Sequence, residues 1–219
     1  MQQCLQTTAL PTPEPVAWMP DWHGQTAVVV ASGPSANKVE LTEGAGLARF
    51  IVVNNSWRLC PWADILYACD FAWWLKARGM PDWPGLKVSQ DKSACDVFPD
   101  IKRVWSRKGT STPLVLGDRS SIAWAGNSGT QALNLAVNLG AAKIILVGYD
   151  MTLDHGIHWH AKHATGLSNP RPLTVENWRR RTDAAADELE RLGIKVINCS
   201  PFSALQRYPK MTFEEALFA

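Results

Sequence analysis

Residues 127–150, NSGTQALNLAVNLGAAKIILVGYD, run a helix almost directly into a strand, and this junction decides the fold class. Asn127 or Ser128 can accept the first free backbone N–H groups of a helix. Ala132, Leu133, Ala136, Val137 and Leu139 then share one face before Gly140 ends it. The following KIILV is apolar at consecutive positions, the pattern of a strand buried on both faces, and it ends at Gly148-Tyr149-Asp150.

Working outward, the same unit recurs. A first strand, AVVVA at 27–31, ends in Ser32-Gly33-Pro34-Ser35. A second, 50–53, ends at Asn54-Asn55, and a third, 65–68, ends at Cys69-Asp70. Short β-branched runs alternating with amphipathic segments predict an α/β, Rossmann-like three-layer fold around a mostly parallel sheet. The stripe Trp178, Thr182, Ala185, Leu189 and Leu192, at steps of four and three, predicts one helix over 174–192 closed by Gly193. A strand at 195–199 and a short helix at 212–218 complete the pattern. Between Lys108 and Gly126 no period is clear, so this stretch is expected as a flexible lid over the site.

Residues 1–25 carry Pro11, Pro13, Pro15 and Pro20 and read as an extended Pro-rich arm. Such an arm can cover a neighbouring subunit in a homo-oligomer. Residues 26–219 then form a single nucleotide-binding domain. With 22 basic and 20 acidic residues the net charge of +2 does not identify a polyanion binder, although Arg179, Arg180 and Arg181 can make a local basic patch. The five cysteines are odd in number and contain no C-x-x-C pair, so neither a disulfide framework nor a cysteine metal site is expected. No export signal and no membrane span is read, which suits a cytoplasmic protein.

In an open parallel sheet, side chains beyond the carboxyl ends of the strands converge on one crevice. Here that crevice receives Ser32, Gly33, Pro34 and Ser35, then Asn54, Asn55 and Asp70, then Asn127, Ser128, Gly129 and Thr130, and finally Asp150. The glycine of SGPS suits a close backbone approach to a phosphate or ribose. Asn54 and Asn55 suit amide contacts to a base, and Asp70 and Asp150 suit a ribose hydroxyl or magnesium, while each of these is also ordinary turn or cap chemistry. Neither a Walker loop nor a G-x-G-x-x-G follows the first strand.

Four of the five histidines lie in DHGIHWHAKH: His155, His158, His160 and His163. A general base, a stabiliser of a leaving phosphate and a metal ligand all fit this composition. His158, His160 and His163 have the H-x-H-x-x-H spacing of metallo-β-lactamase-type hydrolases. Lys162 stands where those enzymes carry aspartate, and no later histidine completes a dinuclear site, so no metal is expected there.

SGPS, NNSW, ADILYACD, GNSGTQALNLAVNLGAAKIILVGYD, HWHAKH and GIKVINCSPFSAL occur in an order that resembles the bacterial lipooligosaccharide sialyltransferases and the related 6-hydroxymethylpterin pyrophosphokinase-like (MptE-like) proteins. The resemblance spans roughly residues 28–205, and the compact, Trp-rich form looks like versions carried by bacteriophages. It implies a nucleotide-dependent transferase, preferably a glycosyltransferase with a CMP- or UDP-type sugar donor. The donor would be held by Ser32 to Ser35, Asn54 or Asn55, and Asn127 to Gly129. His158 or His160 carries over as base, with His163 beside them. In the sialyltransferases two tyrosines after the equivalent of Asp150 hold the leaving phosphate, whereas Met151 and Thr152 stand here. Lys162 or a second histidine is expected to replace them.

The pyrophosphokinase branch implies ATP and magnesium acting on a pterin-like hydroxymethyl group, with Asp70 and Asp150 as metal contacts. A non-catalytic nucleotide-binding module is the third reading. The hydroxyl acceptor stays open between a glycan, a lipid-linked sugar and a modified DNA base.

Overall fold

Alternate residues of the first strand serve two different cores, which explains why its sequence is apolar without a break. In the computed structural model, which describes residues 16–110, 112–163 and 166–219, β1 (Thr26–Val30) sends Ala27 and Val29 to one face and Val28 and Val30 to the other. β8 (Lys143–Val147) repeats the pattern, with Ile144 and Leu146 on the first face and Ile145 and Val147 on the second. The remaining strands of this sheet are β2 (Arg49–Val53), β3 (Ile65–Tyr67), β4 (Leu86–Ser89), β5 (Lys102–Arg103) and β9 (Lys195–Asn198). All seven pair in parallel in the order β5-β4-β3-β2-β1-β8-β9.

α3 (Ser128–Asn138) and α5 (Ala186–Arg191) cover the first face, through Leu133, Leu135, Leu139 and Leu189. α1 (Phe71–Lys76), α2 (Lys92–Val97) and α6 (Phe213–Phe218) cover the second, through Trp73, Trp74, Ala94, Phe213 and Ala216. Burial of this kind is worth roughly 25 cal/mol per Å² of apolar surface, and it dominates the stability of such a three-layer domain. The expected α/β architecture is therefore the observed one. Among the described residues no helix is long and apolar enough to cross a membrane.

Three local expectations change. Of the N-terminal arm, residues 1–15, with Pro11, Pro13 and Pro15, lie outside the described residues. Met19 and Trp22 are buried in the first core, and the Trp22 N–H donates to the Leu139 carbonyl at 2.7 Å, so this part of the arm is packed onto the domain. The single helix expected over 174–192 is two: α4 (Pro172–Ala184), then α5 after a break at Ala185. The Thr182 carbonyl accepts from the Tyr208 hydroxyl and from the Ala185 N–H, which closes a tight turn there in place of the regular helical bond.

Within the segment 108–126, expected as a lid, Val115 and Ala123 are tied to α3. The segment's flanks form a separate two-stranded parallel sheet, β6 (Trp105–Arg107) and β7 (Ser121–Ala123). Fully buried Asn134 accepts from the Val115 N–H at 2.8 Å and the Ala123 N–H at 2.9 Å, and its amide donates to the Val115 carbonyl at 3.0 Å. One helix side chain thus supplies the pairing that an irregular chain cannot make with itself. Asn134→Ala should lower the unfolding free energy by about 3 kcal/mol or more, since it strands several buried backbone groups. Urea titration compared with the wild-type chain measures this.

Candidate functional site

The chain runs outward from β1 through β2, β3, β4 and β5, then returns to place β8 on the other side of β1. Loops leaving β1 and β8 therefore diverge, and a cavity of about 720 Å³ opens between them, where an open sheet binds its ligands. Ser32, Gly33 and Pro34 line it after β1, Asn54 after β2, Asp70 after β3, Asn127, Ser128 and Gly129 at the start of α3, and Asp150 after β8.

Two helix N-termini open into this cavity. At α3, Asn127 caps by accepting from the Thr130 N–H at 2.8 Å, the Ser128 hydroxyl accepts from the Cys69 N–H at 3.2 Å, and the Tyr149 hydroxyl donates to the Gly129 carbonyl at 2.8 Å. Thr130 itself is buried against Thr182 of α4 and holds the helices together. At α4, Arg171 occupies the cap position without a side-chain cap, and Pro172 opens the helix. Arg171, Thr174, Val175 and Trp178 all line the cavity. Free N–H groups, the partial positive charge of two helix starts and the Arg171 guanidinium together favour an anion.

Gly33 proves necessary for a different reason from the one expected. Its φ is an ordinary −62°, but a Cβ there would lie 2.0 Å from Asp150 Oδ2 and 2.4 Å from the Gly148 carbonyl. The glycine lets the β1 loop close onto the end of β8. Asp150 is buried, with Oδ1 accepting from the Ser35 N–H at 3.2 Å and Oδ2 from the Ser35 hydroxyl at 2.8 Å. Burial raises its pKa, against the opposing effect of the Ser35 hydrogen bonds. Both oxygens of Asp150 are thus engaged within the loop, and Asp70 is an exposed residue of the lining. Among the described residues the carboxylates form no converging group of three, and Asp150 engages Ser35 with both its oxygens.

Asn54 adopts a left-handed conformation, φ 51°, and its Oδ1 is buried without a hydrogen-bond partner at the cavity wall. Asn tolerates that backbone better than most residues. Asn55 turns the other way. Its Oδ1 accepts from Trp73 Nε1 at 3.1 Å, and its Nδ2 lies 3.2 Å from His160 Nε2. An indole N–H only donates, so the amide nitrogen must face the histidine, and His160 Nε2 accepts with the ring neutral.

The histidines converge through one turn. Trp159 anchors it by donating its N–H to the Ser32 carbonyl and its indole N–H to Ser56 Oγ, both at 3.2 Å. Ala161 supplies a left-handed residue, φ 70°. The rings of His158, His160 and His163 then lie with centroids 4.4–5.1 Å apart, the first two stacked and His163 tilted against both. Burial pushes His158 and His160 down to about 4, and His163 is lowered as well. His158 and His163 line the cavity, and His160 does not. His155 is elsewhere, stacked on Phe202 at 4.2 Å.

His158 differs from the other two in one respect. Its Nε2 is buried with no hydrogen-bond partner. Lys162 is exposed and does not line the cavity, nor do Ser35, Asn55, Thr130 or His160. Arg171 is the cation at the cavity wall that sequence reading missed. Its one signal was Arg-Pro at a helix start.

No family model matches the chain, and no curated protein matches it. Its fold is similar to two solved structures of the sialyltransferase CstII from Campylobacter jejuni. The first is in complex with the substrate analogue CMP-3FNeuAc, with TM-score 0.52, 13% identity and 86% of each chain covered. The second is in complex with cytidine-5'-monophosphate, with TM-score 0.52, 12% identity, and 87% of this chain and 86% of that one covered. At this identity the likeness is one of fold.

The lowered histidines make stability depend on pH with a definite sign. Between the unfolded value of 6.5 and the folded value of about 4, the unfolded chain binds more protons than the folded one. Stability contributed by neutral His158 and His160 is therefore present above pH 6.5 and lost as the pH falls. Unfolding free energies from urea titrations between pH 7 and pH 5 should decrease, and decrease less steeply in His158→Gln.

Proposed function

We propose that the chain is a nucleotide-sugar-dependent glycosyltransferase, with a CMP- or UDP-type donor and a hydroxyl acceptor. The observation that carries this reading is the unpartnered Nε2 of His158, a residue of the cavity lining that it shares with two helix N-termini and Arg171. A fold shared with a CMP-binding sialyltransferase supports the nucleotide class.

Asn54 and the 32–34 loop face the nucleoside in this reading. The N–H groups at the start of α3 and α4, with Arg171, bind the phosphate and take the part first expected of Lys162. The acceptor O–H gives its proton to His158 Nε2 as its oxygen bonds to the anomeric carbon. The bond from that carbon to the phosphate oxygen breaks, and the nucleotide leaves with the electron pair. Negative charge gathering on the phosphate favours the imidazolium, so a nitrogen that is weakly basic in the empty site gains basicity as transfer proceeds.

Magnesium-dependent pyrophosphoryl transfer is the second reading, and against it stands the engagement of both Asp150 oxygens by Ser35. A thermal-shift series separates the readings. CMP, UDP and their sugar conjugates should raise the melting temperature without added metal, and ATP with magnesium should not. With an identified donor, His158→Ala should slow turnover by about 10²–10⁴-fold while the nucleotide-induced shift persists. Stabilisation by ATP–magnesium alone would favour the kinase, and binding without donor consumption a non-catalytic module.

A further inference from the structure

His158, His160 and His163 each offer one ring nitrogen, and the three nitrogens lie within 4.8 Å of one another. Among the described residues this is the group of three that converges in this way. Two further observations describe what the cluster lacks. His158 Nε2 is buried with nothing to receive its lone pair. His160 Nε2 is satisfied only because the Asn55 amide donates to it at 3.2 Å, a proton donor standing where a cation could stand. Three neutral imidazoles, His158 and His160 nearly parallel and His163 tilted by 45–49° to them, offer the donor set of an ion bound through nitrogen.

We propose that His158, His160 and His163 form a binding site for one divalent ion of the zinc class, open on its fourth side to the cavity. Three imidazoles suit zinc, cobalt or nickel and not magnesium or calcium. Tetrahedral ligation at about 2.0–2.1 Å brings the nitrogens to roughly 3.3 Å from one another. The 158–163 turn lies in no helix or strand, so a contraction of this size breaks no backbone ladder. His158 and His163 line the cavity, which leaves the fourth position to water or to a ligand oxygen.

The two features of the sequence that argued against a metal lose their force. A mononuclear site needs no histidine beyond His163, and Lys162, placed where it would repel an ion, is exposed and outside the cavity. Of the other charges that act on the cluster, Lys76 and Arg58 oppose a cation and the Asp70 carboxylate favours it. The site stands on the geometry of the cluster and not on the transfer reading. Where both hold, the ion and the acceptor proton compete for the same lone pair of His158, and zinc inhibits transfer.

The untagged full-length chain, stripped with chelator and titrated with zinc by calorimetry, should bind close to one equivalent. Cobalt should give the visible absorption of a four-coordinate nitrogen site. His158→Ala and His163→Ala should each weaken zinc binding by more than about 100-fold, a loss that even residues supporting a ligand can cause. His155→Ala, outside the cluster, should bind as the wild type does, and circular dichroism checks that each variant is folded. No saturable binding, or binding that survives in the folded His158→Ala,His163→Ala double variant, overturns the site. Zinc binding in a chain that consumes no sugar nucleotide would retain the site and remove the transfer reading. Turnover without any zinc binding would do the reverse.

Discussion

Everything at the site depends on how closely the β1 loop can approach the end of β8. The fork between these two central strands is inherent in the strand order, but its width is set by Gly33, which alone leaves room for Asp150 and the Gly148 carbonyl. Asp150 then holds Ser35 through both carboxylate oxygens, so the loop is fixed by a buried charge-assisted contact. With that loop in place, the Ser32 carbonyl accepts from the Trp159 N–H, and the histidine turn is anchored to the same point. A single close approach thus positions both the phosphate side and the histidine side of the cavity.

The polar groups around the cavity divide into those consumed by the fold and those left over. Asn127, Thr130, Ser35 and Asp150 find their partners in the protein, as buried polar groups must. Asn54 Oδ1 and His158 Nε2 do not, although both are buried. Leaving such groups unpaired costs about 1–3 kcal/mol each, which the two-sided core can sustain and which an incoming ligand can recover. Trp73 shows how far the core reaches into this arrangement, since its ring packs beneath the sheet while its N–H sets the orientation of Asn55 and hence the tautomer of His160.

Electrostatically the site has two halves. Helix starts and Arg171 make one half attractive to an anion, while burial keeps the three histidines of the other half uncharged. Uncharged imidazoles are electron-pair donors, equally suited to a proton or to a soft metal ion. Proton transfer and metal binding draw on the same lone pair, which makes them alternatives at any instant.

Much of the fold was legible in the chain because it depends on neighbours along it. Consecutive apolar residues marked β1 and β8, the capped stripe marked α3, and small or polar residues at the strand ends marked the crevice. The clustering of histidines was equally plain, being a matter of spacing alone. What needed the tertiary structure were interactions between residues far apart in sequence. Asn134 orders 115–123 from a different element, Tyr208 bonds the carbonyl of Thr182 beside the helix break at Ala185, and Asn55 fixes the tautomer of His160. That Arg171 lines the cavity and Lys162 does not has the same origin. Periodicity records which face a residue shares with its neighbours, whereas the direction of a loop side chain is set only when distant segments pack against it.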